Sequence, residues 1–333
     1  MSPNRLVVIG ASAGGVQALQ KLVAKLPADL GAPVLIVQHI GRHRSILPEL
    51  LSARGPLPAS HGVDGEPIRP GRIYVAPSDR HMLVDGPRIR LSHGPKEHHA
   101  RPAIDPLFRS AALTRGGAVI GVVLTGMLDD GTPGLQAVKQ HGGTAVVQDP
   151  RDAAEPSMPR SALRYVAVDH CLPLDAIAEL LVHLIGAASV APEAPPAAAA
   201  RNAHEQSLFL AQGDVMEHLE AIGSPSTFVC PDCSGTLWEL ADVQPRRFRC
   251  HTGHAFTLRT LQYAQATATD TALWGAIRAL QEKRMLIEGL AQQRRADGEA
   301  EQASELLAEA GKLERVTAEL RGLVEAEPEP SSE

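Results

Sequence analysis

Aromatic residues are scarce in this chain, since they make up only 3% of its 333 residues. Hydrophobic residues still reach 44%, so a full core can form, but Ala, Val, Leu and Ile must fill it. No stretch approaches the roughly 18 continuous apolar residues that a membrane span requires. The sequence also begins without a basic segment followed by an apolar one. We therefore expect neither a secretory signal nor membrane insertion.

The chain also has no excess of positive charge and contains few cysteines. The net charge is −6 and the isoelectric point about 6.2, which argues against a general surface for nucleic acid or anionic lipid. The chain has four cysteines, of which three lie between positions 230 and 250 while Cys171 stands alone. This distribution indicates a metal site more than a disulfide framework. A reducing cytoplasm is the expected location, with no nucleic acid as a partner.

Short apolar runs alternate with helical stretches over residues 5–185. Strands that are apolar on both faces and alternate with helices indicate a parallel sheet covered on both sides. The sequence therefore predicts an α/β fold, with a doubly wound, mostly parallel sheet and helices on both faces. The predicted strands are RLVVIG (5–10), VLIVQH (34–39), RIYVAP (72–77), AVIGVVLTG (118–126), TAVVQ (144–148) and YVAVDH (165–170). The predicted helices cover 15–26, 105–115, 132–141 and 157–164.

Two local patterns refine this fold. Asp85-Gly86 lies between two alternating runs, which predicts a β-hairpin over residues 81–91, at an edge of the sheet. Asp105-Pro106 is typical of a helix start, with the aspartate as N-cap and the proline at the first helical position. Ligand sites in such sheets lie beyond the carboxyl ends of the strands. Residues at those ends are therefore the candidates for function.

The composition of the chain changes after residue 187. The run AASVAPEAPPAAAAR that begins there cannot supply a packed face and is typical of a linker. We predict an α/β domain over 1–187, a linker over 188–203, a zinc-ribbon-like module over 204–262, a helical hairpin over 263–326 and a disordered tail over 327–333. The hairpin is predicted from two apolar stripes, formed by Leu273, Ile277, Leu280, Ile287 and Ala291 and by Leu306, Ala310, Leu313, Leu320 and Val324.

The predicted module contains a cluster of cysteine and histidine. A C-x2-C pair, Cys230 and Cys233, is followed after a spacer by Cys250 and His254 in a C-x3-H arrangement. This spacing favours tetrahedral zinc bound by those four residues, with His251 as a weaker candidate for the fourth ligand. Four protein ligands leave no open position, so the expected metal is structural and would supply much of the module's folding energy. A metal-free ribbon is the alternative.

A glycine-rich turn follows the first predicted strand. Gly10-Ala11-Ser12-Ala13-Gly14-Gly15 leads directly into a helix. Small neighbours let the backbone bend sharply and expose the Ser12 hydroxyl, and N–H groups at the helix N-terminus can stabilise an oxyanion. This is the pattern of a nucleophile elbow. A phosphate-binding loop fits less well, because neither the G-x-G-x-x-G spacing nor a Walker lysine is present. The turn by itself leaves an esterase, a nucleotide site and a structural turn open.

Histidine and aspartate lie at other predicted strand ends. His39 closes the second strand, and Asp129 and Asp130 follow the fourth. The carboxyl ends of parallel strands meet at one edge of a sheet, so these side chains can converge with Ser12. A nucleophilic serine needs a base to remove its proton and a carboxylate to orient that base. The joint placement therefore indicates a serine hydrolase.

These residues resemble a known family, the catalytic domain of CheB-type chemotaxis protein-glutamate methylesterases. The matching blocks are VIGASAGG (8–15), VQHI (37–40), GRIYVAPSDRHML (71–83), RPAIDPLFRSAA (101–112), LTGMLDDG (124–131) and MPRSAL (158–163). Together they extend over nearly all of residues 5–185.

The resemblance implies an activity and the residues that perform it. Ser12 would be the nucleophile, His39 the base, and Asp130, which precedes the glycine of its block, the orienting carboxylate. The expected oxyanion groups are backbone N–H groups near Ala13 and Gly14, helped by the backbone of Met127. The reaction would be hydrolysis of glutamate γ-methyl esters on a methylated chemoreceptor, with release of methanol and no catalytic cofactor. Deamidation of glutamine would occur at the same site.

Three departures from the family pattern bear on function. Ala13 stands where the family has threonine, and Leu128 replaces a glycine of the family's GMGNDG block. No receiver segment precedes the matching blocks, so the control of the site is expected to differ from that of receiver-gated members. Two other functions stay open. One is a catalytically idle scaffold whose ribbon and helices bind a protein partner, and the other is an esterase for a methyl ester on another protein.

Overall fold

The computed structural model describes residues 5–39, 45–187 and 195–326, so residues 188–194 of the predicted linker and the predicted tail over 327–333 lie outside the described residues. The strands are β1 (Leu6–Ala11), β2 (Val34–Gln38), β3 (Ala59–His61), β4 (Ile73–Val75), β5 (His81–Asp85), β6 (Arg88–Ser92), β7 (Val119–Val123), β8 (Thr144–Gln148), β9 (His170–Leu172), β10 (Gly223–Val229), β11 (Thr236–Leu240), β12 (Arg247–Cys250) and β13 (Ala255–Thr257). The helices are α1 (Gly15–Val23), α2 (Leu47–Arg54), α3 (Ile104–Arg115), α4 (Thr132–Gln140), α5 (Ser157–Tyr165), α6 (Leu174–Gly186), α7 (Pro196–Phe209), α8 (Val215–Ile222), α9 (Leu258–Ala296) and α10 (Ala300–Ala326).

The main sheet is parallel throughout. Within the described ranges it contains seven strands in the order β3-β4-β2-β1-β7-β8-β9, which confirms the predicted doubly wound α/β fold. The chain first builds the sheet outward from β1 through β2, and later returns to the other side of β1 with β7. This reversal of strand order beside β1 leaves a crevice at the carboxyl ends of the strands, where such folds bind ligands.

Helices cover both faces of this sheet. Alternate side chains of β1 enter two different cores, so that Val7 and Ile9 pack with α1, α2 and α6. Val8 packs on the opposite face, with α3, α4 and α5. All six residues of β1 are buried, because a strand between two helical layers has no solvent face.

Some predicted elements differ from the structure. The last strand of the parallel sheet is β9 (His170–Leu172), where the sequence predicts a strand over residues 165–170. Val166 and Val168 pack against the core without pairing as a strand, so their alternation reflects burial and not sheet hydrogen bonding. The hairpin β5–β6 forms around Asp85-Gly86 as predicted, but as a two-stranded sheet of its own and not at the edge of the main sheet. The structure also contains β3, α2 and α6, which have no counterpart among the predicted elements.

The predicted linker is partly helical. Helix α7 begins at Pro196, so the linker prediction is wrong for residues 196–203. Alanine has the highest helix propensity and proline is tolerated in the first turn, which makes this run a good helix once one of its faces is buried. Glu205 and Phe209 lie on that buried face.

The antiparallel sheet β10–β13, called here the C-terminal sheet, has its four strands in sequence order. It lies in the same compact unit as the parallel sheet, because the chain divides between Leu261 and Gln262. Residues of the predicted domains 1–187 and 204–262 therefore share one unit, except for the last residue of the module. In the sequence these two ranges read as separate domains, since the long-range contacts that join them leave no local pattern.

The second compact unit consists of α10 and all but the first turn of α9. The two helices fold back on each other, as a 3.3 Å ion pair between Lys283 and Glu309 shows. All ten residues of the predicted apolar stripes are buried or half-buried. No helix in the described ranges combines the length and apolar character that crossing a bilayer needs.

Candidate active site

Ser12 lies at the sharp turn between β1 and α1. Its N–H donates to the Thr125 carbonyl (2.9 Å), and its carbonyl accepts from the Gly15 N–H (2.8 Å). Gly14 has a left-handed φ of 74°, and a Cβ at position 15 would overlap the Gln38 side chain. Backbone conformation and space therefore require the two glycines. The turn leaves Ser12 half-buried at the carboxyl end of β1.

His39 follows β2 and connects the serine to a carboxylate. Its Nδ1 lies 3.1 Å from Ser12 Oγ, and its Nε2 lies 2.7 Å from Asp130 Oδ2. An ionised carboxylate can only accept, so Nε2 carries the proton and Nδ1 is left to accept from the serine hydroxyl. The imidazole thus has the tautomer that a general base for Ser12 requires.

The Asp130 carboxylate is buried, with 2% of its side chain exposed. Oδ2 accepts the N–H of Ile104 (2.7 Å), and Oδ1 accepts those of Asp105 (3.1 Å) and Gly131 (2.8 Å). The first two donors belong to the N-terminus of α3, where N–H groups lack helical partners. Burial opposes the charge, but the nearby His98 and the hydrogen bonds outweigh it and hold the pKa of Asp130 below its ordinary value.

The neighbouring Asp129 makes different contacts. Its Oδ1 accepts a hydrogen bond of 2.9 Å from the Thr257 hydroxyl, and burial raises its pKa. The structure places Asp130 against His39, so the two aspartates that the strand-end pattern leaves equivalent are separated by their partners.

Asp105 is not the N-cap of α3, and that prediction is wrong. The helix begins one residue earlier, at Ile104, with extended Ala103 before it. Asp105 Oδ1 instead accepts the N–H groups of Gly131 (3.0 Å) and Gly134 (2.6 Å). It therefore satisfies the start of α4, across space from its own helix.

The expected oxyanion donors lie around the serine. Ala13 and Gly14 are half-buried and Met127 is 39% exposed. Among the described residues, no hydrogen bond occupies the N–H of any of the three. The Thr125 hydroxyl donates to the Ala13 carbonyl (2.9 Å), which fixes the orientation of that peptide. Unpaired N–H groups on a fixed backbone are what a developing oxyanion needs.

Leu128 has a left-handed φ of 61°. This conformation costs an L-residue roughly 1–2 kcal/mol and costs glycine almost nothing, which explains the glycine in the family block that Leu128 replaces. The Ser157 hydroxyl donates to the Leu128 carbonyl (3.0 Å) and holds this loop beside the site.

The second predicted site is assembled in the C-terminal sheet. The ligand atoms of Cys230, Cys233, Cys250 and His254 all lie within 4.8 Å of one another. The sulfur atoms of Cys233 and Cys250 are 3.6 Å apart, and all four cysteines of the chain are free thiols. His251 is exposed and is not part of the group. Three sulfurs and an imidazole at these distances could hold a metal ion.

A group of buried charged residues connects α3 and the segment before it to α7 and to β12 of the C-terminal sheet. Its members are Glu97, Arg109, Glu205, Arg247 and Arg249. This buried charge cluster is centred on Arg249 of β12, whose Nη2 lies 2.8 Å from Glu97 and whose Nε lies 3.0 Å from Glu205. Glu97 also accepts from Arg109 (2.6 Å), and Glu205 from Arg247 (3.1 Å). At these distances, the attraction between the opposite charges offsets the free-energy cost of taking both groups out of water.

This cluster is not predicted from the sequence, and neither are His98 and Thr257 beside the aspartates. A charged residue in a predicted helix or strand is ordinarily solvated, and nothing local marks the exceptions. The bond between Glu97 and Arg249 joins residues 152 positions apart, so no spacing rule connects them.

The sequence matches the family described as CheB methylesterase over residues 7–181. A Leptospira interrogans protein, named as a protein-glutamate methylesterase/protein-glutamine glutaminase, is 40% identical over 184 residues, which are 54% of this chain and 93% of that protein. A Caulobacter vibrioides protein with the same two activities in its name is 42% identical over 182 residues, 53% of this chain and 52% of its own. The chain thus spans nearly all of the first relative and about half of the second.

A solved structure agrees with these matches. The crystal structure of the catalytic domain of Thermotoga maritima CheB methylesterase is 33% identical, with a TM-score of 0.52, and the similarity covers 54% of this chain and 98% of that one. Ser12, His39 and Asp130 all fall inside the range of the family match. Because that match extends over more than half of the chain, the protein belongs to the CheB methylesterase family.

Proposed function

We propose that this protein is a serine esterase that hydrolyses glutamate γ-methyl esters on a chemoreceptor-like protein and releases methanol. The observation that carries the proposal is the unbroken hydrogen-bonded chain from Ser12 Oγ through His39 to Asp130, with distances of 3.1 and 2.7 Å. These three residues lie at the carboxyl ends of the parallel strands, where α/β proteins bind their ligands.

The geometry supports a two-step mechanism. His39 Nδ1 takes the hydroxyl proton as Ser12 Oγ attacks the ester carbonyl, and Asp130 stabilises the imidazolium that forms. The N–H groups of Ala13 and Gly14, with that of Met127, stabilise the oxyanion. The imidazolium then protonates the departing methoxide. A water molecule, deprotonated by His39, hydrolyses the acyl-enzyme. Glutamine would follow the same course with ammonia as the leaving group, which gives deamidation.

Methanol release from methylated chemoreceptor fragments tests this proposal. We expect the wild-type protein to release methanol, and to convert glutamine to glutamate in an unmethylated fragment, while Ser12→Ala serves as the inactive blank. Labelling of Ser12 by a fluorophosphonate separates the alternatives. A protein that is labelled but releases no methanol is an esterase for another substrate. A protein that is not labelled either is a scaffold.

We also propose that the Cys/His group binds structural zinc through Cys230, Cys233, Cys250 and His254. Three sulfur ligands favour zinc over harder cations. The pKa of the Cys250 thiol is lowered to about 3, chiefly by the hydrogen bond it receives from Cys230, so a thiolate is readily available. None of the steps above needs this metal.

Zinc should be present in stoichiometric amount in protein purified without chelator, and it should be lost from Cys230→Ser. Because the ligands hold together the turns between the strands of the C-terminal sheet, metal loss should also lower the melting temperature. Elemental analysis and thermal melting measure both effects, with Cys171→Ser as the matched control, since Cys171 is exposed on β9 and outside the group. Equally low zinc in wild type and in Cys230→Ser would contradict the proposal.

Two further expectations from the sequence stay predictions: a cytoplasmic location, and a protein partner for the helices α9 and α10. Both helices expose large apolar side chains, among them Trp274, Leu286 and Leu323, which is consistent with such a partner.

A further inference from the structure

His98 is a buried histidine directly behind the catalytic carboxylate. Its Nε2 lies 2.6 Å from Asp105 Oδ2 and 3.7 Å from Asp130 Oδ1. Its Nδ1 lies 3.2 Å from the Thr260 hydroxyl. Each ring nitrogen therefore has an oxygen beside it that can accept a hydrogen bond from an N–H group. This is the environment of a doubly protonated imidazole.

Three carboxylates crowd the same buried space. Asp105, Asp129 and Asp130 are each at most 3% exposed. The charged groups that face them are His98 from the segment before α3, His39 after β2 and Arg259 at the start of α9, and Glu97 lies next to His98 in the chain. Burying several like charges is costly unless a cation compensates them. His98 is the group that contacts two of the three aspartates.

The C-terminal sheet fixes the segment that carries His98. The His98 N–H donates to the Ala255 carbonyl (2.8 Å), and the Ala255 N–H donates to the Lys96 carbonyl (3.3 Å), so the segment pairs with β13 like an added strand. On either side of His98, Glu97 bonds to Arg249 of β12 and His99 lies 2.9 Å from Asp232. His98 and His99 have φ values of 53° and 60°, a conformation that non-glycine residues keep only where their surroundings impose it.

We propose that His98 is a positioning residue of the esterase, whose buried imidazolium holds Asp130 ionised and aligned with His39, and that the C-terminal sheet keeps His98 in place. The inference rests on the proposed function, because it concerns the same triad. Burial opposes a charge on His98, but Asp130 and Asp105 outweigh it and raise its pKa to about 10. The extension beyond the family match is thus part of the machinery that prepares the serine.

A second buried histidine offers a matched control. His81 is fully buried, its Nδ1 accepts the Ala103 N–H (3.2 Å), and its Nε2 lies 3.1 Å from the Pro95 carbonyl. A nitrogen that accepts an N–H carries no proton, so this imidazole is neutral, and burial lowers its pKa to about 4. Replacing His81 removes a buried ring near the start of α3 without removing a charge.

The rate at which a fluorophosphonate labels Ser12, measured against pH, tests the proposal. Removing the His98 cation makes the His39–Asp130 couple easier to protonate. In His98→Asn, labelling at neutral pH should therefore slow by about tenfold or more, and the acidic limb of the profile should move to higher pH by on the order of one unit. In His81→Asn the rate can fall, but the limb should stay where the wild type has it.

The outcomes separate this inference from the proposed function. An unmoved limb in His98→Asn, or an equal shift in His81→Asn, reduces His98 to a structural role and overturns the inference. Labelling that behaves as expected in a protein inert toward methylated receptor fragments overturns the proposed substrate but supports the role of His98. A wild type that is never labelled overturns both, because no active serine then exists for His98 to support.

NMR of the histidine ring nitrogens tests the charge assigned to His98, whose Nδ1 lies beside the hydroxyl of Thr260 in the first turn of α9. In the wild type, His98 should be doubly protonated at neutral pH. In Thr260→Val, which keeps the shape but removes the acceptor of Nδ1, the titration of His98 should move to lower pH. A neutral His98 in the wild type, or an unchanged titration in Thr260→Val, contradicts the proposal even where His98→Asn fails to fold.

Discussion

Replacing Asp130 with asparagine should lower kcat/KM for ester hydrolysis by about 10³- to 10⁴-fold. Both carboxylate oxygens already accept backbone N–H groups, from Ile104 on one side and from Asp105 and Gly131 on the other. An amide NH2 must therefore face an N–H group in either orientation. If it turns toward His39, it donates to Nε2 and drives the imidazole proton to Nδ1, which can then no longer accept from Ser12. The base would be present but in the wrong tautomer.

Asp129→Asn is the matched control for this variant, because the residue is adjacent, similarly buried and bonded to Thr257 instead of to His39. We expect it to keep activity within about tenfold of the wild type, because its hydrogen bond is to Thr257 and the carboxylate that orients His39 stays in place. Steady-state methanol release at neutral pH measures both variants. Equal losses in the two, or full activity in Asp130→Asn, would show that His39 is not oriented by Asp130.

Replacing Glu97 with glutamine should destabilise the first compact unit by about 3–5 kcal/mol at neutral pH, as expected when one member of a buried ion pair is removed. Glu97 accepts from Arg109 at 2.6 and 3.2 Å and from Arg249 at 2.8 Å. Glutamine keeps the volume but offers one acceptor oxygen and turns an NH2 toward a guanidinium. The melting temperature should fall by on the order of 10 °C.

The effect should depend on pH with a definite sign. Burial disfavours the Glu97 charge, but Arg109 and Arg249 outweigh it and lower the pKa in the folded protein. The stability from this group is thus complete above the unfolded pKa, about 4.3, and is lost as the pH falls below that value. Wild type and Glu97→Gln should differ most at neutral pH and converge in acid. A constant difference across pH would rule out the ion pair as its source.

Glu239→Gln is the control for Glu97→Gln. Glu239 forms a bidentate ion pair with Arg246 at 2.7 and 2.9 Å, as Glu97 does with Arg109. The Glu239–Arg246 pair, however, lies on the surface of the C-terminal sheet. Exposed pairs contribute little, so its melting temperature should stay close to that of the wild type.

The sequence predicts those parts of the molecule that depend on local pattern. The alternation of buried strands and helices gives the parallel sheet, and the glycine-flanked Ser12 gives the turn. The strand-end positions bring His39 and Asp130 to the same edge as Ser12. In each case a rule about neighbouring residues is sufficient, because backbone geometry converts spacing along the chain into position in space.

The parts that sequence reasoning misses depend on distant residues. Asp105 reads as a helix cap, yet it satisfies the start of α4 and pairs with His98, which no local rule connects to it. The Ala/Pro-rich run reads as a linker until a partner surface buries one face of α7. Glu97 and Arg249 are unremarkable in their own segments and form a cluster only when the C-terminal sheet packs against the segment before α3. Tertiary packing determines these contacts, and helix or strand propensity is too weak to predict them.

The buried charge cluster also constrains how the sequence can evolve. Glu97 and Arg109 belong to the half of the chain that the family shares, whereas Glu205, Arg247 and Arg249 belong to the extension. A substitution on one side changes the charge balance on the other, so the two halves should accept mutations in pairs. A lineage that sheds the extension should soon replace Glu97, and a graft of this extension onto a relative should work only where the recipient supplies both partners.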